Sequence, residues 1–167
     1  ITKNVFEAYY LAKDRVVFED NTAAEIILSP AQQTAFTTVT DSFSDHTTTL
    51  LHGVTASGKT EIYIKLIETY LANEQQVLFL LPEIALTAQL VSRLTAYFGN
   101  QVAVFHSKYS NSERVEVWYQ TLKSLETAKI IIGTRSAVFL PFQKLGLIII
   151  DEEHEQTFKQ TDPAPRY

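Results

Sequence analysis

From Thr47 onward the chain alternates short apolar runs with longer amphipathic stretches. The runs Thr48–His52, Gln76–Leu81, Val102–Phe105, Lys129–Ile132 and Gly146–Ile150 read as strands. Most are apolar throughout rather than alternating, the mark of strands buried on both faces. Between them, Lys59–Ala72 carries Ile62, Leu66, Ile67 and Tyr70 at helical spacing, and Ile84–Phe98 is a second helix closed by Gly99-Asn100. Ser112–Leu125 is expected as a third, capped by Ser112, with Val115, Trp118, Tyr119 and Leu122 on one face turned to the core. Upstream, Ser29-Pro30 supplies an N-cap and a first-turn proline for a helix over Ala31–Phe43. Strands alternating with helices predict a doubly wound α/β domain, a parallel sheet of about five strands with helices on both faces. Residues 1–28 lack this rhythm and read as a connector or the tail of a preceding module, leaving residues 29–167 as the domain.

Composition narrows this picture. At 167 residues, with 46% hydrophobic and 20% charged positions, the chain is a single globular unit with a proper core. Its net charge of −5 gives no global positive field, so contact with nucleic acid has to be local, through neutral donors, backbone amides or a few placed cations. The absence of cysteine excludes disulfides, thiol nucleophiles and Cys-based zinc sites, and suits a reducing compartment. No apolar run approaches the length of about 20 residues that spans a bilayer. The sequence starts at isoleucine and contains no methionine, so it is expected to be an excised piece of something larger.

Two segments carry chemistry. Gly53-Val54-Thr55-Ala56-Ser57-Gly58-Lys59-Thr60 fits the phosphate-loop pattern G-x-x-x-x-G-K-[ST] at every fixed position. Its glycines let successive N–H groups turn toward one phosphate, and the following helix adds the positive end of its dipole. Lys59 is expected to reach the β- and γ-phosphates, and the Thr60 hydroxyl to ligate Mg2+. The second segment is the strand Leu147–Ile150 running into Asp151-Glu152-Glu153-His154. An acid at the carboxyl end of a buried strand stands where an open α/β sheet binds its ligand. Asp151 is expected to hold Mg2+, largely through water. Glu152 would orient the attacking water, and His154 would sense the γ-phosphate or couple to a neighbouring loop.

A phosphate loop followed by D-E-x-H resembles the superfamily 2 helicases. Further blocks bring the resemblance to the bacterial replication-restart helicases within that superfamily. They are G-V-T-x-S-G-K-T-E-x-Y at Gly53–Tyr63, L-P-E-I-x-L-T at Leu81–Thr87, His106-Ser107, Ser112–Arg114, G-T-R-S-A-x-F at Gly133–Phe139, I-D-E-E-H at Ile150–His154, and Pro165–Tyr167. The resemblance runs from about Leu28 to the end and implies a RecA-like first helicase lobe, a P-loop NTPase binding ATP and Mg2+. It makes Gln32 the reader of adenine, with Gln33 the alternative one position on. It assigns DNA contact to Pro82 and Glu83, to Thr134, Arg135 and Ser136, and more weakly to Phe158 and Lys159. The implied partners are single-stranded and forked DNA, with primosome proteins and single-strand-binding protein joining the parent. The implied setting is the bacterial cytoplasm and nucleoid, with no membrane. Zinc is expected in the parent but not in this piece, which is expected to be monomeric. The arginine finger and a second lobe are expected elsewhere in the parent, leaving the isolated lobe inactive or very weak. The rival readings are another superfamily 2 translocase lobe, a phosphate-loop kinase, and a binding module that uses nucleotide only as a switch.

Overall fold

The computed structural model describes residues 25–54, 57–82, 88–106 and 109–158. The stretches Tyr9–Leu11 and Val16–Phe18, most of the connector, and Lys159 with Pro165–Tyr167 lie outside the described residues.

Four strands form one parallel sheet: β1 (Gln76–Leu80), β2 (Val102–Phe105), β3 (Ile130–Gly133) and β4 (Leu145–Ile150). Their spatial order is β2-β3-β1-β4, with β1 paired to β3 on one side and to β4 on the other. Four helices accompany them: α1 (Pro30–Ser42), α2 (Lys59–Ala72), α3 (Ala88–Phe98) and α4 (Asn111–Leu122). This is a RecA-like α/β arrangement, as the alternation of elements required. Among the described residues, no helix is long and apolar enough to cross a membrane.

The pleat of β1 divides the core. Val77, Phe79 and Leu81 join Ile130, Ile132, Leu147 and Ile149 beneath α1, α2 and α3. Leu78 and Leu80 join Ile131, Phe105 and Ala137 beneath Val117 of α4. β1 is buried along its whole length, hence its unbroken apolar run. β4 is not. Ile148 and Ile150 are about half exposed, because the layer over Leu78 and Leu80 stops short of this edge strand.

Three expectations need correcting. Residues 48–52 form no strand, and the described sheet has four strands rather than five. Leu51 packs on the core while Leu50 stands out in solvent, and no ladder partner meets this segment among the described residues. Apolar composition favours a strand, but only pairing makes one. Helix α4 is capped by Ser110, not Ser112. The Ser110 hydroxyl accepts from the Glu113 N–H, and the Glu113 carboxylate accepts from the Ser110 N–H at 2.8 Å. That reciprocal S-x-x-E box was present in the sequence. The face of α4 also differs. Val117 and Thr121 turn inward, while Val115 and Trp118 are exposed. Thr121 is admitted to the core because its hydroxyl donates to the Val117 carbonyl at 2.7 Å, and a polar residue at that position hid the true stripe. The expected helix from Ile84 is described from Ala88 onward.

One buried polar residue ties the opposite end of the sheet. Gln76, fully buried at the start of β1, donates through Nε2 to the carbonyls of Thr121 (3.1 Å) and Ala128 (3.3 Å). Its Oε1 accepts from the N–H groups of Gln143 (2.9 Å) and Lys144 (3.2 Å). Both donors and both acceptor sites of the amide are thereby used. Gln76→Ala is expected to strand those backbone groups and cost roughly 2–4 kcal/mol, read as a fall in the urea midpoint with an unchanged slope.

Candidate nucleotide-binding site

All four strands release their carboxyl ends at one edge, and the motif segments leave the sheet there. Leu81-Pro82 follows β1, His106 follows β2, Gly133–Ser136 closes β3, and Asp151 ends β4.

The phosphate loop enters α2 through Gly58, whose φ of +83° is left-handed. Only glycine fits. A Cβ there would meet Gln32 Nε2 at 2.2 Å. The Lys59 ammonium lies in the curl of the loop, donating to the carbonyls of Gly53 (2.6 Å) and Val54 (3.4 Å). Among the described residues it forms no ion pair. The Ser57 N–H returns to the Val54 carbonyl at 3.1 Å. Thr55 and Ala56 lie outside the described residues. A cationic tip whose partners among the described residues are carbonyls, at the amino end of a 14-residue helix, fits a phosphate group.

Helix α1 is pinned onto this loop. The Gln32 amide accepts from the Ser29 N–H at 2.8 Å and donates to the Gly58 carbonyl at 3.1 Å. Gln33 is exposed. Of the two adjacent glutamines, Gln32 is the one that the fold brings to the phosphate loop.

Asp151 is delivered by the sheet. Its N–H donates to the Leu80 carbonyl at 3.1 Å, extending the β1–β4 ladder by one residue. The chain then breaks away through Glu152, whose φ of +56° is left-handed, and closes a turn from the Glu155 N–H to the Glu152 carbonyl at 2.9 Å. The Asp151 carboxylate accepts from the Tyr63 hydroxyl at 3.2 Å. Thr60 precedes Tyr63 by three positions on α2, so both lie on the same helix face. Mg2+ would find a hydroxyl and a carboxylate on neighbouring elements here, which suits its preference for oxygen ligands. Burial, then the Asp151 carboxylate beside it, push the Tyr63 hydroxyl well above its ordinary range, so it remains a donor. His154 is exposed, with Nε2 3.9 Å from a Glu152 carboxylate oxygen.

The residues assigned to DNA divide. Pro82 is buried and Glu83 lies outside the described residues. Gly133 lets β3 approach β2 and the turn after it, since a Cβ would meet Ala137 at 2.6 Å and the Phe105 carbonyl at 2.7 Å. Thr134 is buried, its hydroxyl 3.4 Å from that of Ser136. Arg135 donates to the Thr157 carbonyl at 3.3 Å, tying this element to the loop after the acidic motif. Phe158 packs against the second core cluster and does not stand as an open stacking platform.

Sequence reasoning passed over Tyr63 except as a motif letter. A tyrosine on the apolar face of a helix was the available signal, because a buried phenol needs a partner. It also missed the ion pair of Arg93 on α3 with Glu61 in the first turn of α2. Burial acts to raise the Glu61 carboxyl, but the bond and charge of Arg93, with a backbone bond, prevail and hold it below its ordinary range.

Comparisons with known proteins bear on this geometry. Residues 29–164 match the model of the DEAD/DEAH box helicase family. The chain is 52% identical over 140 residues to replication restart protein PriA of Synechocystis sp., covering 84% of this chain and 16% of that protein. It is 45% identical over 142 residues to the PriA of Bacillus subtilis, covering 84% of this chain and 17% of that protein. It is 50% identical over 120 residues to the PriA of Chlamydia trachomatis, covering 72% of this chain and 16% of that protein. The chain thus spans about a sixth of the length of these relatives.

Gly58→Ala is expected to force a left-handed alanine against Gln32. It should lower stability by about 1–3 kcal/mol in denaturant titration and displace the amino end of α1 from the loop.

Proposed function

The chain belongs to the DEAD/DEAH box helicase family, and from that footing we propose that it is the ATP-binding first lobe of a 3′-to-5′ DNA helicase acting in replication restart. The observation that carries this is the convergence of Lys59 in its loop and Asp151 at the end of β4 on the two ends of one helical turn of α2. Similarity to proteins named for replication restart supports the process.

In this reading the loop amides and Lys59 hold the β- and γ-phosphates of ATP. Gln32 leaves the Gly58 carbonyl to pair with the adenine edge. Thr60 and Asp151 would hold Mg2+, which when bound neutralises charge on the phosphates. Glu152 orients the attacking water, and its left-handed backbone turns it out of the strand that positions Asp151. His154, beside Glu152, lies at the same turn. Single-stranded DNA crosses the carboxyl edge near Arg135 and Ser136, where turn amides and short polar side chains contact its phosphates despite a net charge of −5. Forked DNA and primosome proteins engage the larger parent.

A phosphate-loop kinase would need arginines free to form a lid. Among the described residues after the phosphate loop, Arg93 is paired with Glu61, Arg114 lies 5.6 Å over the Phe105 ring, and Arg135 holds the Thr157 carbonyl; Arg166 lies outside them.

Calorimetry tests the nucleotide site. Lys59→Ala should abolish Mg·ADP and Mg·ATP binding without unfolding the chain, and equal affinity in the variant would reject the assignment. Gln32→Ala should remove a preference for ATP over GTP, whereas loss on Gln33→Ala would place the adenine reader one position on.

A steady-state ATPase assay tests the single-lobe reading. An arginine finger contributes roughly a thousand- to a hundred-thousand-fold to such reactions, and it is expected on another lobe. Turnover by this chain should lie at least about a thousandfold below that of a two-lobe protein, with little response to single-stranded DNA. Robust DNA-stimulated turnover, lost in Glu152→Gln, would show that the chain completes its own site.

A further inference from the structure

Among the described residues, Tyr63 is the residue of α2 whose side chain bonds to the acidic strand end. Its ring is fixed before its hydroxyl is used. It is 7% exposed and stands edge-on to Phe79, with centroids 5.5 Å apart and planes at 83°. Phe79 is itself fully buried at the centre of β1. A ring wedged in this way has one place for its hydroxyl, and that place is 3.2 Å from Asp151 Oδ1. Asp151 needs such a constraint. Its backbone is held by the Leu80 carbonyl, but the next residue already leaves the sheet with a φ of +56°. The strand therefore fixes where Asp151 starts and not where its carboxylate turns.

We propose that Tyr63 is a positioning residue for the acidic strand end, its hydroxyl binding one oxygen of Asp151 so that the other is presented to Mg2+. This rests on the reading of Asp151 as part of the Mg·nucleotide site. The hydroxyl also makes the orientation of Asp151 depend on α2, the helix that carries Lys59 and Thr60. Cation-binding carboxylates are commonly hydrogen-bonded from behind, and loss of such a partner typically costs 10- to 100-fold in metal affinity.

Fluorescent ADP titrated into the full chain, with and without Mg2+, tests the idea by binding alone. Tyr63→Phe keeps the ring and its contact with Phe79 and removes only the hydroxyl. The variant should bind Mg2+-free ADP within about twofold of the wild type but need about tenfold more Mg2+ to reach the tightened state. The same titrations in an Asp151→Ala background should show no further effect of Tyr63→Phe. A thermal melt of each variant separates lost folding from lost binding. An unchanged Mg2+ requirement in Tyr63→Phe overturns the positioning role while leaving the site reading intact. So does a shift of the same size without the Asp151 carboxylate. A wild-type chain whose ADP binding ignores Mg2+ overturns the site reading, and the role of Tyr63 with it.

Discussion

Parallel pairing of the strands is the constraint from which the rest follows. Every strand of such a sheet must point the same way, so every carboxyl end emerges at one edge and every crossover returns to the other. Candidate chemistry spread from residue 82 to residue 151 is thereby gathered, and the phosphate loop, which no described strand carries, joins it through α2 and the bond from Tyr63 to Asp151. The edge is then stitched together by single bonds from one strand end to the next. The Leu81 N–H reaches the Gly133 carbonyl at 2.9 Å, Thr134 reaches Phe105 at 3.3 Å, and Asp151 reaches Leu80 at 3.1 Å. Arg135 adds a side-chain tie to the turn beyond Asp151. A displacement at one strand end is therefore felt by its neighbours.

Helix α2 connects this edge to the core, and the magnitudes separate its anchors from its guides. Ile62, Ile64, Leu66 and Ile67 are all buried. Burial of such side chains contributes roughly 1.5–3 kcal/mol each. The partly exposed Glu61–Arg93 pair contributes at most about 1 kcal/mol. Packing therefore fixes where the helix lies. The polar contacts at its amino end, from Gly58 to Gln32, from Lys59 to the loop and from Tyr63 to Asp151, decide how its first two turns are aimed.

Much of this was legible in the chain. The bounds of Lys59–Ala72 and Val102–Phe105 followed from periodicity, and the phosphate loop and acidic strand end followed from residue types whose chemistry admits few alternatives. What escaped reading was whatever depended on partners far off in sequence. Residues 48–52 have strand composition, but a strand is a relation between two segments. Trp118 has core chemistry, yet Thr121 took the core position because its own hydroxyl could be satisfied within the helix. Gln76 read as the polar start of a strand, and nothing nearby in sequence announced the four backbone groups that it gathers from residues 121 to 144.

The left-handed backbone at Glu152 has a bearing on how the chain tolerates change. A non-glycine residue held there stores on the order of 1–3 kcal/mol, and the residue so held is the one proposed to orient the attacking water. Selection for a sturdier fold alone would favour glycine at this position, which relaxes the backbone and deletes the carboxylate together. Durability and chemistry thus pull in opposite directions at a single residue. Thermostabilised descendants of this chain would gain most safely at sites remote from the carboxyl edge, leaving this strained turn as it stands.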